Sequence, residues 1–544
     1  MNKSEVIQSF LRKGYLISPD LLEVDISDNQ SFLDMLNSKI VSKDKPLIVS
    51  KDLFLAVTNN GVVDINWLEF EKSKVLFEKK SINKMYDTFL NILNPNGEKI
   101  KDIKINGIPE IKRIEENKPI ERGNVLSNVN VLKQFDLPSK KINMKDFVNY
   151  FRHRYEALKG ILQGRQELSN LHSINRILNK QNGEEVATIG LVYDKQTSKN
   201  GNIILTLEDT TGFLKAIVTK SSPEAFKATG SICLDEVIGI VGKTNERFLF
   251  VTSVVFPDIM NNKQKKCDED VCAAFISDIH VGSKMFLEKE FINFIEWLNG
   301  NSSDEKIKHI GPRVKYLFLI GDLVDGIGVY PGQENSLLLK NIKHQYNRLA
   351  ELLGLINKDI KLIICPGNHD SIRAAEPQPQ LDKDYAEALW NLPNVIMVSN
   401  PALINIHSKG EFEGYNILMY HGASFHYYVN NVPLLRENKS RDNPSHILKF
   451  LLQKRHLAPS HSSTTYVPIG NEDPLVIDKI PDIIVSGDMH RSDVAVYNGV
   501  IIINCSCWQS KTDFQEKTGN NPDFCKVPLF SLKEKKVFMV NFAE

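Results

Sequence analysis

The sequence predicts a multidomain α/β protein in which a small β-barrel precedes a larger domain of alternating strands and helices. Its 544 residues are enough for about three domains. Hydrophobic residues follow a helical period near the N terminus, then form short strands between residues 184 and 257, and strands alternate with helices after residue 271. Five apolar strands in this last part end in side chains of the types that bind metals.

The first two segments carry no chemical motif. In residues 1–92, the helical spacing of Val6, Phe10 and Leu11 predicts a small helix-rich domain, which we interpret as an interaction module. Residues 93–144 are polar and contain several prolines, so we expect a flexible linker. Two apolar stretches within it, residues 105–111 and 129–137, are candidate docking segments.

Residues 145–262 are predicted to hold helices and a barrel. Helical spacing returns at 145–180, where Arg152, His153 and Arg154 make the surface basic; a solvated helix face is favoured over a phosphate contact. Five short strands then follow within residues 184–257, which fits a Greek-key barrel of the OB type. Such barrels often bind single strands through aromatic side chains, but few aromatics lie on these strands, so a scaffold role is favoured.

Composition limits the possible functions. Lys plus Arg equal Asp plus Glu at 67 each, so a nucleic-acid role must rest on a local patch or on a partner. The seven cysteines have no paired C-x-x-C spacing, which indicates reduced, mostly buried thiols. An apolar run of 18 residues is absent from the sequence, and its start lacks a signal-peptide pattern. We therefore expect a cytoplasmic protein without a membrane span.

Residues 263–544 carry the candidate chemistry at the ends of predicted strands. The strand at 361–364 leads into Asn368, His369 and Asp370, and the strand at 271–277 leads into Asp278 and His280. Strand alternation would place Asp278 and His280 on the same side. The other predicted ligands that follow strands are Asp322, His421, Asp488 and His490.

Each of these residues has an ordinary structural interpretation when it is taken alone. An Asp after a strand is usually a turn or N-cap residue, and a lone His is usually a satisfied polar group. Five strand ends with such residues in succession are much harder to explain in this way. Because ligands bind at the carboxyl ends of strands in α/β sheets, the pattern predicts a metal site.

The order of these motifs resembles the calcineurin-like metallophosphoesterase superfamily over residues 272 to about 495. Three longer strings resemble the small, exonuclease subunit of archaeal family-D DNA polymerases: GDLVDG at 321–326, NHDSIRAAEPQP at 368–379 and RHLAP at 455–459. This resemblance extends over most of the chain after about residue 145. It implies a two-sheet metallophosphoesterase domain with helices outside, and a barrel that packs on it and joins the contact with a large subunit.

The resemblance also implies roles for the site residues. Two divalent metal ions are expected, with Asp322 bridging them and His369 protonating the leaving oxygen while Asp370 orients its ring. Mixed nitrogen and oxygen ligands favour manganese, with iron, zinc or magnesium as alternatives. One ion would be held by Asp278, His280 and His490, and the other by Asn368, His421 and Asp488.

The last motif departs from the family pattern. Gly-His-x-His is usual there, whereas this chain has Gly487, Asp488, Met489 and His490. A carboxylate still binds a hard cation, so we expect a retained site with a changed metal preference; loss of the second ion is the alternative.

Three functions are compatible with these motifs. The first is a 3′–5′ exonuclease that proofreads as the small subunit of a two-subunit archaeal DNA polymerase. Its partners would be the large catalytic subunit, DNA with a single-stranded or mismatched 3′ end, and, as a further candidate, a sliding clamp. The second is a catalytically weak structural subunit, against which the nearly complete ligand set argues. The third is an independent metallophosphoesterase, which would not need the barrel. The sequence shows no polymerase motif, so nucleotide addition must come from another chain.

Overall fold

The computed structural model describes residues 16–17, 48–49, 128–135, 142–260, 265–302, 304–512, 515–516, 519 and 521–543. The chain divides into two compact units, Met1–Arg122 and Gly123–Glu544. In the first unit, the described residues are two short strands that pair in parallel, β1 (Leu16–Ile17) and β2 (Ile48–Val49). The rest of the predicted helix-rich domain and the docking segment at 105–111 lie outside the described residues. All other described elements belong to the second unit.

A closed five-stranded barrel follows two helices, which confirms the predicted barrel. Its strand order is β4-β5-β6-β8-β7, and the β6–β8 pair is parallel whereas the other neighbours are antiparallel. The strands are β4 (Glu185–Thr197), β5 (Ile203–Asp209), β6 (Gly212–Val218), β7 (Val237–Asn245) and β8 (Phe248–Val255), and the helices of this region are α1 (Met144–Gln163), α2 (Ile174–Ile177) and α3 (Pro223–Ala228).

The basic helix α1 is fixed to the C-terminal domain by a buried charge, which corrects the expectation of a solvated basic face at Arg154. The side chain of Arg154 is fully buried, and its Nε donates to Asp473 Oδ2 at 2.7 Å. Asp473 Oδ2 also lies 2.8 Å from His456 Nε2. A second buried pair, Lys454 Nζ with Glu236 Oε2 at 2.8 Å, joins the barrel to the same domain. Helical spacing could not reveal these partners because they are far away in sequence.

The C-terminal domain contains two mixed six-stranded sheets. The first has the order β12-β11-β10-β9-β18-β19, and the second has the order β16-β17-β15-β14-β13-β3. The strands are β3 (Val129–Lys133), β9 (Cys272–Ile276), β10 (Val314–Ile320), β11 (Lys361–Cys365), β12 (Val395–Met397), β13 (Ala402–Ile406), β14 (Tyr415–Met419), β15 (Ile483–Ser486), β16 (Asp493–Tyr497), β17 (Val500–Asn504), β18 (Lys526–Ser531) and β19 (Lys536–Asn541).

The two sheets pack face to face with helices outside, as expected from the resemblance. Phe275 and Phe318 of the first sheet share one buried core with Ile417 and Val485 of the second. The outer face of each sheet packs against its own set of helices. The helices on the first sheet are α4 (Glu288–Leu298), α5 (Ile342–Gly354) and α6 (Lys383–Trp390), and those on the second are α7 (Phe425–Asn431), α8 (Pro433–Glu437) and α9 (Ser445–Lys454).

Part of the predicted linker belongs to the second sheet. Strand β3 pairs antiparallel with β13, so that Val131 lies opposite Ile404. This is the beginning of the docking segment predicted at 129–137, and α1 begins at Met144, the last residue of the predicted linker. The predicted segment bounds at residues 92, 144 and 262 stay predictions.

The cysteine prediction is confirmed, since all seven cysteines are free and buried. Within the described ranges, the structure has no helix with the length and apolar character needed to span a membrane.

Candidate metal centre

The predicted ligands come together where five strands end. Strands β9, β10 and β11 of the first sheet and β14 and β15 of the second each lead into one of the loops that carry them. Most of the predicted residues are buried, and short contacts join them into one cluster.

The loops, rather than the strand pleat, aim several of these side chains. Asp278 and His280 have φ of 51° and 54°, and Asp322, Asp488 and His490 have φ of 48°, 64° and 53°. This left-handed conformation costs a non-glycine residue roughly 1–2 kcal/mol. Strand alternation therefore does not place Asp278 and His280 on the same side, as had been expected, because both residues lie beyond the end of β9. Such strain persists where the surrounding structure enforces it, and it is concentrated at functional sites.

Two glycines allow the loops to approach each other. A Cβ on Gly487 would lie 2.6 Å from Asp278 Oδ2, and a Cβ on Gly367 would overlap Asp322 Oδ1. Both carboxylates therefore occupy space that only a glycine neighbour leaves open.

Asp278, His280 and His490 form the first group of potential ligands. The Nε2 atoms of the two histidines are 3.2 Å apart, and His490 Nε2 is 3.3 Å from Asp278 Oδ1. This is the set that the sequence assigned to one ion.

Asp322 lies between this group and a second one. Its Oδ1 is 3.2 Å from His421 Nε2, which is in turn 3.1 Å from Asn368 Oδ1. Its Oδ2 is 3.9 Å from the Nε2 atoms of both His280 and His369. Asp278, Asp322 and His421 also satisfy the distance requirements of a metal site. Asp322 therefore contacts histidines of both groups.

Fixed hydrogen bonds turn the Nε2 atoms of two histidines toward this centre. His421 Nδ1 lies 2.7 Å from the carbonyl oxygen of Ile320, and His280 Nδ1 lies 3.1 Å from Asp325 Oδ1. Each Nδ1–H donates to an oxygen, which leaves the Nε2 lone pair for a cation. Sequence reasoning missed this role of Asp325, although its position three residues after Asp322 in the loop that follows β10 was visible.

The orienting role expected for Asp370 is wrong. His369 Nδ1 contacts the carbonyl oxygen of Asp325 at 2.8 Å. Asp370 instead accepts hydrogen bonds from the backbone nitrogens of Gly367 and Leu323, at 2.8 and 3.3 Å, and from Tyr346 Oη at 3.1 Å. Burial, followed by the repulsion of Asp322, raises the pKa of Asp370 to about 7. Asp370 thus links the loop after β11 to the loop after β10 by hydrogen bonds.

Asp488 lies at the edge of the cluster. Its Oδ1 is 3.9 Å from His421 Nε2, and its Oδ2 is 3.5 Å from Nε2 of His426, a half-exposed residue on α7. Oδ2 is buried and accepts no hydrogen bond from the described residues. His426 was missed by sequence reasoning because no strand end or motif marks it.

A sequence-family profile for the B subunits of DNA polymerases alpha and epsilon matches residues 274–494. The chain is 34% identical over 529 residues to the DNA polymerase II small subunit of Methanothermobacter thermautotrophicus, covering 97% of this chain and 98% of that protein. The chain belongs to the archaeal DNA polymerase II small subunit family. The subunit of Archaeoglobus fulgidus is 33% identical over 96% of this chain and 94% of its own length. The subunit of Methanocaldococcus jannaschii is 37% identical over 72% of this chain and 64% of its own length. The resemblance drawn from the three longer strings is confirmed.

The electrostatics of this family member suit a cation. Burial raises the pKa of Asp322, but the attraction of His421 and other histidines outweighs it and holds that pKa far below its usual value. Burial lowers the pKa of His421, yet Asp322 and Asp278 raise it well above normal. Buried carboxylates therefore draw positive charge into the site. Together with the mixed oxygen and nitrogen donors and the buried Oδ2 of Asp488, which accepts no hydrogen bond from the described residues, this shows that the residues fit a divalent cation.

Proposed function

We propose that this chain is the subunit that removes nucleotides from 3′ ends of DNA in a two-subunit archaeal polymerase, in complex with a large catalytic subunit. The partner is proposed because the curated relatives are named small subunits. One observation carries the activity: carboxylate and imidazole groups from five strand ends converge around Asp322, with the Nε2 atoms of His280 and His421 turned inward.

Two divalent cations, with manganese favoured, would be held by the chain's own donors. Asp278, His280 and His490 would bind one, and Asn368, His421 and Asp488 the other, with Asp322 between them. Bound cations of this kind supply a nucleophile at neutral pH and neutralise the charge that develops on the phosphate.

His369 is placed to handle the proton of the leaving group. Its side chain is 17% exposed at the mouth of the site, and the bond from Nδ1–H to the Asp325 carbonyl leaves Nε2 as the exchanging atom. During hydrolysis a water oxygen bonds to phosphorus and loses a proton to solvent, and the bond from phosphorus to the 3′ oxygen of the preceding nucleotide breaks. Protonated Nε2 of His369 gives that oxygen its proton, a contribution of roughly a hundredfold or more in rate.

A cleft beside the cluster brings two arginines, among four aspartates, next to the proposed cation site. It is lined by His426, Arg441 and Arg491 together with site residues such as Asp322 and His490. Arg491 is held by Asp442, with 3.1 Å between its Nη2 and Oδ1. In a chain with equal numbers of acidic and basic residues, these two arginines are the candidates for phosphate contact, and the bound cations would offset the aspartates.

Asp488 favours a second candidate, a catalytically weak structural subunit. Its position at the edge of the cluster would weaken the second cation site, and a polymerase subunit needs no hydrolysis to act as a scaffold. Against this candidate, a scaffold gains nothing from several buried polar groups that converge on one point and from the strained backbone at Asp278 and Asp322.

The test is Asp322→Asn in the full chain, purified with the large subunit. The change is nearly isosteric, so we expect 3′-end hydrolysis in manganese to be abolished while subunit association and the melting temperature stay as in the parent. Asp359→Asn, at an exposed aspartate beyond α5, is the matched control and should retain full activity. Hydrolysis at the parental rate by Asp322→Asn, or none by the parent itself, would overturn the proposal.

A further inference from the structure

A second cleft lies on the other side of His369. It has a volume of about 750 Å³, within the range of small-ligand sites. Asn368 and His369 line both this cleft and the charged one described above. The two clefts therefore meet at the candidate metal centre.

The wall of the second cleft is apolar and exposed. Ile327, Val329 and Tyr385 line it, and they are 49%, 39% and 40% exposed. The first cleft, by contrast, has arginine, aspartate and histidine side chains on its corresponding walls. Large apolar side chains gathered at the mouth of a polar site indicate a binding surface rather than chance exposure.

The loop that carries Ile327 and Val329 is fixed in place. Gln333 Oε1 accepts a hydrogen bond from the Val329 nitrogen at 2.9 Å, and Gln333 Nε2 donates to the Asp325 carbonyl at 2.7 Å. Gln345 Oε1 accepts from the Gly326 nitrogen at 3.0 Å. Both glutamine side chains are fully buried. These buried hydrogen bonds therefore fix the loop on which Ile327 and Val329 are exposed.

The same loop is in close backbone contact with His369, the residue proposed to protonate the leaving oxygen. Gly326 has φ of 76°, and a Cβ there would overlap the backbone oxygen of His369. The position of the apolar wall relative to His369 is therefore set by close backbone contact.

We infer that this second cleft binds the nucleobase of the 3′-terminal nucleotide, an inference that rests on the proposed 3′-end hydrolysis. A scissile phosphate has the terminal nucleoside on one side and the rest of the strand on the other. With the phosphate at Asp322 and His369, both clefts are within reach of it, since each is lined by Asn368 and His369. The charged cleft suits the backbone of the remaining strand, and the apolar cleft suits a base.

The chemistry of the wall also explains what it selects. Every nucleobase has an apolar π-face, so packing against Ile327, Val329 and Tyr385 favours any base without choosing among the four. A base that remains paired and stacked in a duplex cannot present this face. The cleft therefore selects an unpaired terminal base, which is the property that distinguishes a mismatched 3′ end.

The experiment compares two single-stranded oligothymidylates that differ only at the 3′ end. One ends in a normal thymidine and the other in an abasic tetrahydrofuran nucleotide. With the full chain in manganese, we expect kcat/KM for the abasic end to be lower by roughly five- to 150-fold, the range that corresponds to base stacking on a protein surface. In the double variant Ile327→Ser and Val329→Ser, which keeps Tyr385, hydrolysis of the normal end should fall toward the abasic rate, with the abasic rate unchanged.

The control is Leu434→Ser on α8, which removes an apolar side chain of similar exposure, 40%, and should keep the parental preference. Equal rates on both ends in the parent, or a preference as large in the double variant as in the parent, would overturn the inference. If the parent hydrolyses neither end, the proposed function fails, and a second readout still decides the base site. An oligonucleotide with 3′-terminal 5-iododeoxyuridine is irradiated with the protein in EDTA, and a crosslink mapped to Tyr385 supports the inference whereas its absence refutes it.

Discussion

Replacing Asp325 by Asn should weaken metal binding while leaving the fold intact. Asp325 lines the charged cleft, and its Oδ1 holds His280 through Nδ1 at 3.1 Å. The same oxygen accepts from Gln509 Nε2 at 3.1 Å, and Oδ2 accepts from Gln333 Nε2 at 3.0 Å. The side chain is buried, and its pKa is lowered because hydrogen bonding and attraction by His280 outweigh burial.

The size of the effect follows from these contacts. An asparagine oxygen in place of Oδ1 keeps the bonds from His280 and Gln509, but its amide nitrogen then faces the amide nitrogen of Gln333. Gln333 cannot turn to relieve this, because its Oε1 already accepts from the Val329 nitrogen. One charge-assisted bond, worth roughly 1.5–3 kcal/mol, is lost together with the negative charge behind His280. Loss of such a support typically lowers metal affinity by about 10- to 100-fold, or about 1.4–2.8 kcal/mol.

The assay is calorimetric titration of manganese into the metal-stripped full chain, accompanied by a melting curve without metal. We expect the dissociation constant for manganese to rise by about 10- to 100-fold, with a small fall in melting temperature. Asp359→Asn serves as the control for removal of one negative charge. A dissociation constant equal to the parent's would refute the argument that Asp325 aims His280 at the cation.

Three further predictions concern other residues. His369→Ala should keep its metal content but lose roughly a hundredfold or more in hydrolysis rate; loss of metal along with the rate would show that His369 is a ligand. Asp488→His should retain more zinc relative to manganese after dialysis, because imidazole is a softer ligand than carboxylate; unchanged metal content would place Asp488 outside the coordination sphere. His456 is buried, and its Nδ1 accepts a hydrogen bond from the Ala458 nitrogen. Burial, followed by the repulsion of Arg154, lowers the pKa of His456 to about 4. Its contribution to the free energy of unfolding, up to roughly 3 kcal/mol, should be present above about pH 6.5 and be lost as the pH falls toward 4. In urea unfolding, the free energy of unfolding of His456→Gln should change less with pH between 4 and 6.5 than that of the parent. An equal change with pH in both proteins would show that His456 does not have this lowered pKa.

The sequence by itself determined the residue types of the candidate site, the strand ends that carry them and the family. Short β-branched runs followed by Gly-Asp, Gly-Asn-His-Asp or His-Gly are local patterns, and parallel strands bring such ends together wherever they occur. The barrel was equally predictable, because five short strands with turns between them have few ways to bury their apolar faces.

Only the tertiary structure decided what supports and limits the site. Arg154 reaches Asp473 across 319 residues, and a charge whose partner is that distant has the same local pattern as a solvated one. Asp325 rather than Asp370 holds His369, because the loop after β10 folds over the loop after β11, and no spacing within either loop encodes that contact. His426 approaches Asp488 only because α7 packs beside the end of β15. Such contacts are set by the packing of layers, whereas sequence periodicity records only which face of an element is buried.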